Sequence, residues 1–249
     1  MRRLCLFLAL LTVSPAFAWL PRSCVLKLQT LSEVVPETLF SATELSKFEK
    51  LFKSSAFPYK DASRAVFESY QKKRQALLPE KQRDVLRAVL ASRTVWKQDV
   101  LADRSLIGPP YGFDAGFNYD RNQIYMQVPK AFEGTLIDYR LQAHEGEHAL
   151  QLNSVKGTWG FFVFGQVCRH QIGDGRRGTL KWMSLTEFGA LKGEYLLLSG
   201  FPPWVIDEFA EVIRTQFTKH SGHEQDAQDL LSSKKGFAEF LKTDRYQAQ

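Results

Sequence analysis

The sequence predicts an α+β fold that is mainly helical, with one small antiparallel sheet. Three observations carry this. Apolar residues recur at mixed helical spacing through most of the stretch from Thr38 to Asp103. A helix with its own start and stop signals is written into residues 135–157. Strand-forming residues concentrate in one short run, Gln123-Ile124-Tyr125-Met126-Gln127-Val128, which stops at Pro129.

In chain order, the N-terminus comes first. Arg2 and Arg3 precede a ten-residue, largely apolar stretch from Leu4 to Val13, and Ala16-Phe17-Ala18 follows. That is the charged start, apolar middle and A-x-A end of a secretory signal peptide, assigned to 1–18. Ten residues cannot span a bilayer, and no later run approaches the ~20 apolar residues that a span requires. The expectation is a secreted or periplasmic protein with no transmembrane segment. Cys5 leaves with the leader, so Cys24 and Cys168 remain as an even pair for an oxidising compartment, and a disulfide between them is expected.

Residues 19–110 form the helical N-terminal region. Thr43-Glu44-Leu45-Ser46 and the run from Ala62 to Leu78 belong to helices. Pro79 opens another, expected to continue to about Val100 with Val85, Leu86, Val89 and Leu90 inward. Gly108-Pro109-Pro110-Tyr111-Gly112 breaks the pattern and marks the boundary to a second region, 111–249. That region begins with Phe117-Asn118-Tyr119 and the run 123–128 as a paired hairpin about the turn Asp120-Arg121-Asn122. An exposed edge there would suit main-chain pairing with an extended substrate.

The next helix carries the chemistry. Thr135-Leu136-Ile137-Asp138 reads as a capping box, and Lys156-Gly157 as a stop, so the helix runs from about Leu136 to Asn153. Within it stands His144-Glu145-Gly146-Glu147-His148, an H-E-x-x-H motif. Histidines four apart share a helix face and can hold one zinc ion, and the glutamate after the first can act as general base toward a water. The expected inward stripe is Ile137, Leu141, His144, His148 and Leu152. Gly146 makes room for a neighbour at a cost of about 1 kcal/mol in helix propensity.

A catalytic zinc takes three protein ligands. The extended H-E-x-x-H-x-x-G-x-x-H pattern is absent, because Gln151 and Ser154 stand where its glycine and third histidine would be. Between His148 and Glu187 the one acidic residue is Asp174, in a Gly-rich turn. Glu187 lies in Leu185-Thr186-Glu187-Phe188-Gly189-Ala190-Leu191-Lys192-Gly193-Glu194. With the H-E-x-x-H helix, this stretch resembles the gluzincin branch of the zincin metallopeptidases. The resemblance implies a zincin-like active-site helix beside a glutamate-bearing helix. It also implies His144 and His148 as ligands, Glu145 as general base and Glu187 as third ligand. Glu194 is the fallback ligand, and His170 is a further option. Tyr195, His170 and Arg176 are the candidate donors to an oxyanion.

Gly200 closes the second helix, and Pro202-Pro203 begins another with Val205, Phe209, Val212 and Phe217 on its apolar face. The aromatics of residues 158–164 read as core packing, and Gly173 to Gly178 as a flexible loop without the βαβ setting of a dinucleotide site. The chain has 33 Lys and Arg against 27 Asp and Glu, scattered through mixed-charge helices, which argues against a nucleic-acid surface. The expected function is that of a secreted zinc-dependent metallopeptidase acting on a peptide or protein substrate. A zinc-dependent cell-wall amidase and a non-catalytic secreted interaction protein are the alternatives.

Overall fold

The computed structural model describes residues 38–91, 94–95, 114–118, 123–128, 130–154, 190–217, 227–228 and 230–231. Residues 1–18, Cys24, Cys168, Glu187, His170, Arg176 and the aromatic stretch 158–164 lie outside them. Most of the described residues are helical. Helix α1 (Ala42–Ser54) starts at Ser41, where Ser41 and Glu44 form a reciprocal capping box. Helix α2 (Lys60–Ala76) buries Ala62, Val66, Phe67 and Tyr70 along one stripe. Helix α3 (Glu80–Ala91) follows Pro79 and buries Leu86, Val89 and Leu90.

The helix expected to reach Val100 ends at Ala91, and Thr94–Val95 forms strand β1. The β-branched pair Thr94 and Val95 tolerates an extended backbone, and pairing with the distant Tyr125 and Met126 decides for it. Strands β2 (Asp114–Asn118) and β3 (Gln123–Gln127) complete the sheet.

The expected small antiparallel sheet requires correction. The strands total a few short pieces in a mainly helical structure, and their sheet is mixed. Its order is β1-β3-β2, with β1 parallel to β3 and β2 antiparallel to it. Thr94 pairs with Tyr125, and Phe117 with Ile124. A parallel neighbour arrives by a long connection, so it could not be read from a hairpin pattern confined to residues 117–128. Strand β3 lies between the other two, paired with β2 along Gln123–Gln127 and with β1 at Tyr125 and Met126.

Helix α4 (Leu136–Ser154) is the structural centre, with α2, α3, β2, β3 and α5 (Pro203–Phe217) packed on it. Its start differs in detail from the expected box. The Thr135 hydroxyl donates back to the Phe132 carbonyl at 2.7 Å, while Asp138 accepts from the Gly134 amide at 2.6 Å. Gly134 has φ +74°, the left-handed conformation that glycine adopts without strain. Helical residues 190–198 turn at Ser199-Gly200 into α5, which buries Val205, Ile206, Phe209, Ala210 and Ile213. Aromatic contacts among Phe52, Tyr59, Phe201, Trp204 and Phe209 join α1 and α2 to this end of the chain. Among the described residues, no helix is long and apolar enough to cross a membrane.

Candidate metal centre

The site is built on α4, which is buried nearly all round. Leu136, Ile137, Ala143, Ala149 and Leu150 are buried, and so are Asp138, Arg140, Gln142, Glu145, Glu147 and Gln151. The expected single inward stripe is therefore not a feature of this helix. His144 and His148 are its more open positions, each partly exposed. Partial exposure suits a site that must admit small ligands.

The two imidazoles meet edge to face, with Nε2 of His144 and Nε2 of His148 3.1 Å apart. Each ring is held from its other nitrogen. Nδ1 of His144 lies 2.7 Å from Glu194 Oε1, and Nδ1 of His148 lies 3.0 Å from Gln151 Oε1. With the Gln151 amide oxygen toward His148, both partners are acceptors, and each ring is assigned its proton on Nδ1. Neutral rings so held turn two Nε2 lone pairs toward one another. Facing lone pairs at that distance repel unless a cation, a proton or a metal ion, stands between them. Two nitrogens bound to one zinc at about 2.0–2.1 Å in tetrahedral geometry lie roughly 3.3 Å apart, close to the separation observed here. The residues present thus fit a metal ion, and outward hydrogen bonds of this kind are the usual means of orienting ligand imidazoles.

Glu145 lies beside this pair, its Oε1 4.0 Å from Nε2 of His144. The candidate ligand atoms of His144, Glu145 and His148 all lie within 4.8 Å of one another. This cluster can bind a metal ion. Glu194, the fallback ligand, approaches His144 from the Nδ1 side, where it orients the ring from behind and stands away from the shared Nε2 side. Its second oxygen, Oε2, forms an ion pair with Arg140 Nη1 at 3.4 Å.

Two further contacts set where these groups sit. Gly193 lets residues 190–198 press against α4: a Cβ there would stand 2.5 Å from Glu147 Cγ and 3.1 Å from the Ala143 carbonyl oxygen. On the other side of α4, Gly146 receives α3, where a Cβ would meet Leu86 Cδ1 at 3.0 Å. Beneath the site, Arg74 of α2 grips Glu147 through Nε and Nη2 at 2.7 and 2.8 Å. Burial first, and then the Glu147 charge, hold the neighbouring Tyr70 phenol well above its usual range.

Sequence reasoning missed the outer partners. Gln151 was read only as the residue that breaks the longer histidine motif, although its position three after His148 puts it on the neighbouring helix surface. Arg140 had a similar signal, four residues before His144, but its carboxylate partner comes from another helix. Tyr195, a candidate oxyanion donor, lines a different hollow, of about 590 Å³, together with Leu45, Leu198, Phe201 and Trp204. None of His144, Glu145 and His148 lines that hollow. Comparison with protein-family models, curated proteins and solved structures finds no match to this chain, so the centre stands on its own geometry.

Proposed function

We propose that the protein is a secreted or periplasmic zinc-dependent metallopeptidase. The observation that carries this is the facing pair of histidine Nε2 atoms, each ring held from behind, with a buried carboxylate 4.0 Å from one of them. A purely structural site has no use for that carboxylate. His144 and His148 are the first two ligands. The engagement of Glu194 with Nδ1 of His144 supports giving the third position to Glu187, as the gluzincin resemblance implies. Imidazole with one carboxylate is a donor set that suits zinc.

A zinc ion held there supplies Lewis acidity, which polarises a scissile carbonyl and lowers the pKa of an attacking water. The chain's own residues do the rest. Glu145, on the helix turn beside the ligands, takes the water's proton and delivers it to the leaving amine. Glu194 and Gln151 keep both Nδ1 atoms protonated and both Nε2 atoms directed inward. The charged leader of residues 1–18 supports export.

The test compares purified mature protein with its Glu145→Gln variant. Wild type, stripped and reconstituted, is expected to hold stoichiometric zinc and to cleave members of a broad peptide library. Glu145→Gln is expected to keep the zinc and to lose at least about a hundredfold in cleavage rate. A wild type that takes up no stoichiometric zinc ends the reading. Zinc uptake without Glu145-dependent cleavage favours a non-catalytic binding protein, and cleavage confined to cell-wall amides favours the amidase.

A further inference from the structure

One buried charge beside the histidines has no role in the chemistry above. Arg140 stands one helical turn before His144, with its side chain only 8% exposed. Guanidinium groups are rarely buried so completely unless a carboxylate compensates for the lost water. Here the compensating group is Glu194, whose Oε2 lies 3.4 Å from Arg140 Nη1 while Oε1 accepts from His144. One carboxylate, contributed by a neighbouring helix, thus spans two residues four apart on α4. The buried cation Arg74 is occupied with Glu147 through a two-pronged contact.

We propose that Arg140 is a positioning residue of the metal centre, acting through Glu194. This rests on the metal-binding reading above. A glutamate side chain has several rotatable bonds, and an anion beside a metal site is drawn toward the ion. Arg140 opposes both tendencies. It attracts the second oxygen through an ion pair that is not a hydrogen bond, so the first stays on Nδ1 of His144 and Nε2 stays directed at the ion. It also offsets the carboxylate's charge from the side away from the metal. The charge order Arg140, Glu194, His144 then sets how strongly His144 donates to the ion. Gly193, directly before Glu194, permits the close helix approach that lets one carboxylate reach both partners.

The experiment uses the full mature chain and reads zinc affinity by chelator competition, with the visible absorption of the cobalt(II) form as a second readout. Arg140→Met is expected to weaken zinc binding about ten- to a hundredfold, the usual cost of removing an outer partner, and to alter the cobalt bands. Arg140→Lys should restore most of the affinity. In a Glu194→Gln background, Arg140→Met should cost nothing more. An Arg140→Met protein with wild-type zinc affinity and cobalt spectrum overturns the proposal, as does an undiminished loss in the Glu194→Gln background. If circular dichroism finds the single variant unfolded, the double variant Arg140→Met/Glu194→Gln, which strands no buried charge, decides the matter: zinc affinity and cobalt bands equal to those of wild type overturn the proposal. A wild type that binds neither ion defeats the metal reading itself. That result differs from a wild type that binds both while Arg140 makes no difference.

Discussion

Glu44 has more attachments than a residue at a helix start usually finds. Its Oε2 accepts from the Ser41 amide at 2.9 Å and from the Ser41 hydroxyl at 2.7 Å, and Lys73 lies 2.9 Å away. The Ser41 hydroxyl, then its amide, then Lys73 hold the Glu44 carboxyl down at about 2. A carboxylate lowered in the folded state contributes stability above its unfolded value of 4.5, and loses that contribution as the pH falls from there toward 2. Ser41→Ala removes the strongest of these bonds. We expect it to destabilise the protein by about 1 kcal/mol at neutral pH. In urea unfolding curves taken from pH 7 downward, the gap to wild type should narrow from the unfolded value toward pH 2, down to what the Ser41 hydroxyl contributes by accepting from the Glu44 amide. A gap independent of pH would show that Glu44 is not the group responsible. At this scale the sequence was only partly readable. It marked His144, Glu145 and His148 as a set, because their spacing is a property of one helix. It left open what Glu194 touches, because helical spacing does not say which nitrogen of an imidazole a neighbouring carboxylate will meet.

The helices around α4 approach it at two glycines, and the two should respond differently to a methyl group. At Gly193 the added Cβ would fall against Glu147 Cγ, which Arg74 holds through both carboxylate oxygens, and a backbone carbonyl, which cannot move without shifting a helix. Gly193→Ala is expected to cost about 1–3 kcal/mol, in the range of overpacking. Because Glu194 is the next residue, the variant should also weaken zinc binding. At Gly146 the nearest atoms are the methyl ends of Leu86 and Leu90, which can yield, and alanine improves helix propensity by about 1 kcal/mol. Gly146→Ala should therefore unfold within about 1 kcal/mol of wild type. Equal denaturant midpoints for the two variants would contradict this account. Element boundaries were legible where their signals are local. Pro79 precedes α3 and Pro203 opens α5, as proline at a first turn should, whereas the Ser41 and Glu44 cap of α1 went unread. Strand β1 was not legible. Thr94 finds its partner at Tyr125, and nothing near Thr94 records that distant strand.

For the molecule as a whole, the contact between Arg74 and Glu147 ties the N-terminal helices to the helix that bears the candidate site. Its partners are 73 residues apart, so no sequence window contains both. Arg74→Met would leave the Glu147 carboxylate buried and unpaired, at an expected cost of about 3–5 kcal/mol in equilibrium unfolding. Adding Glu147→Leu should recover most of that loss, because an apolar pair can replace a buried ion pair at little cost. Failure of the second change to recover stability would mean that the pair's geometry, and not its charge balance, is what the fold requires. The positions of His144 and His148 have a different consequence. They are partly open side chains on a helix otherwise buried nearly all round, and protein groups already hold both rings from behind. The two histidine ligands are therefore oriented before an ion arrives. On the proposed reading, an ion can leave and another can enter at these partly exposed rings while the helix frame stays assembled. Loading becomes an exchange governed by the supply outside, separate from the survival of the polypeptide.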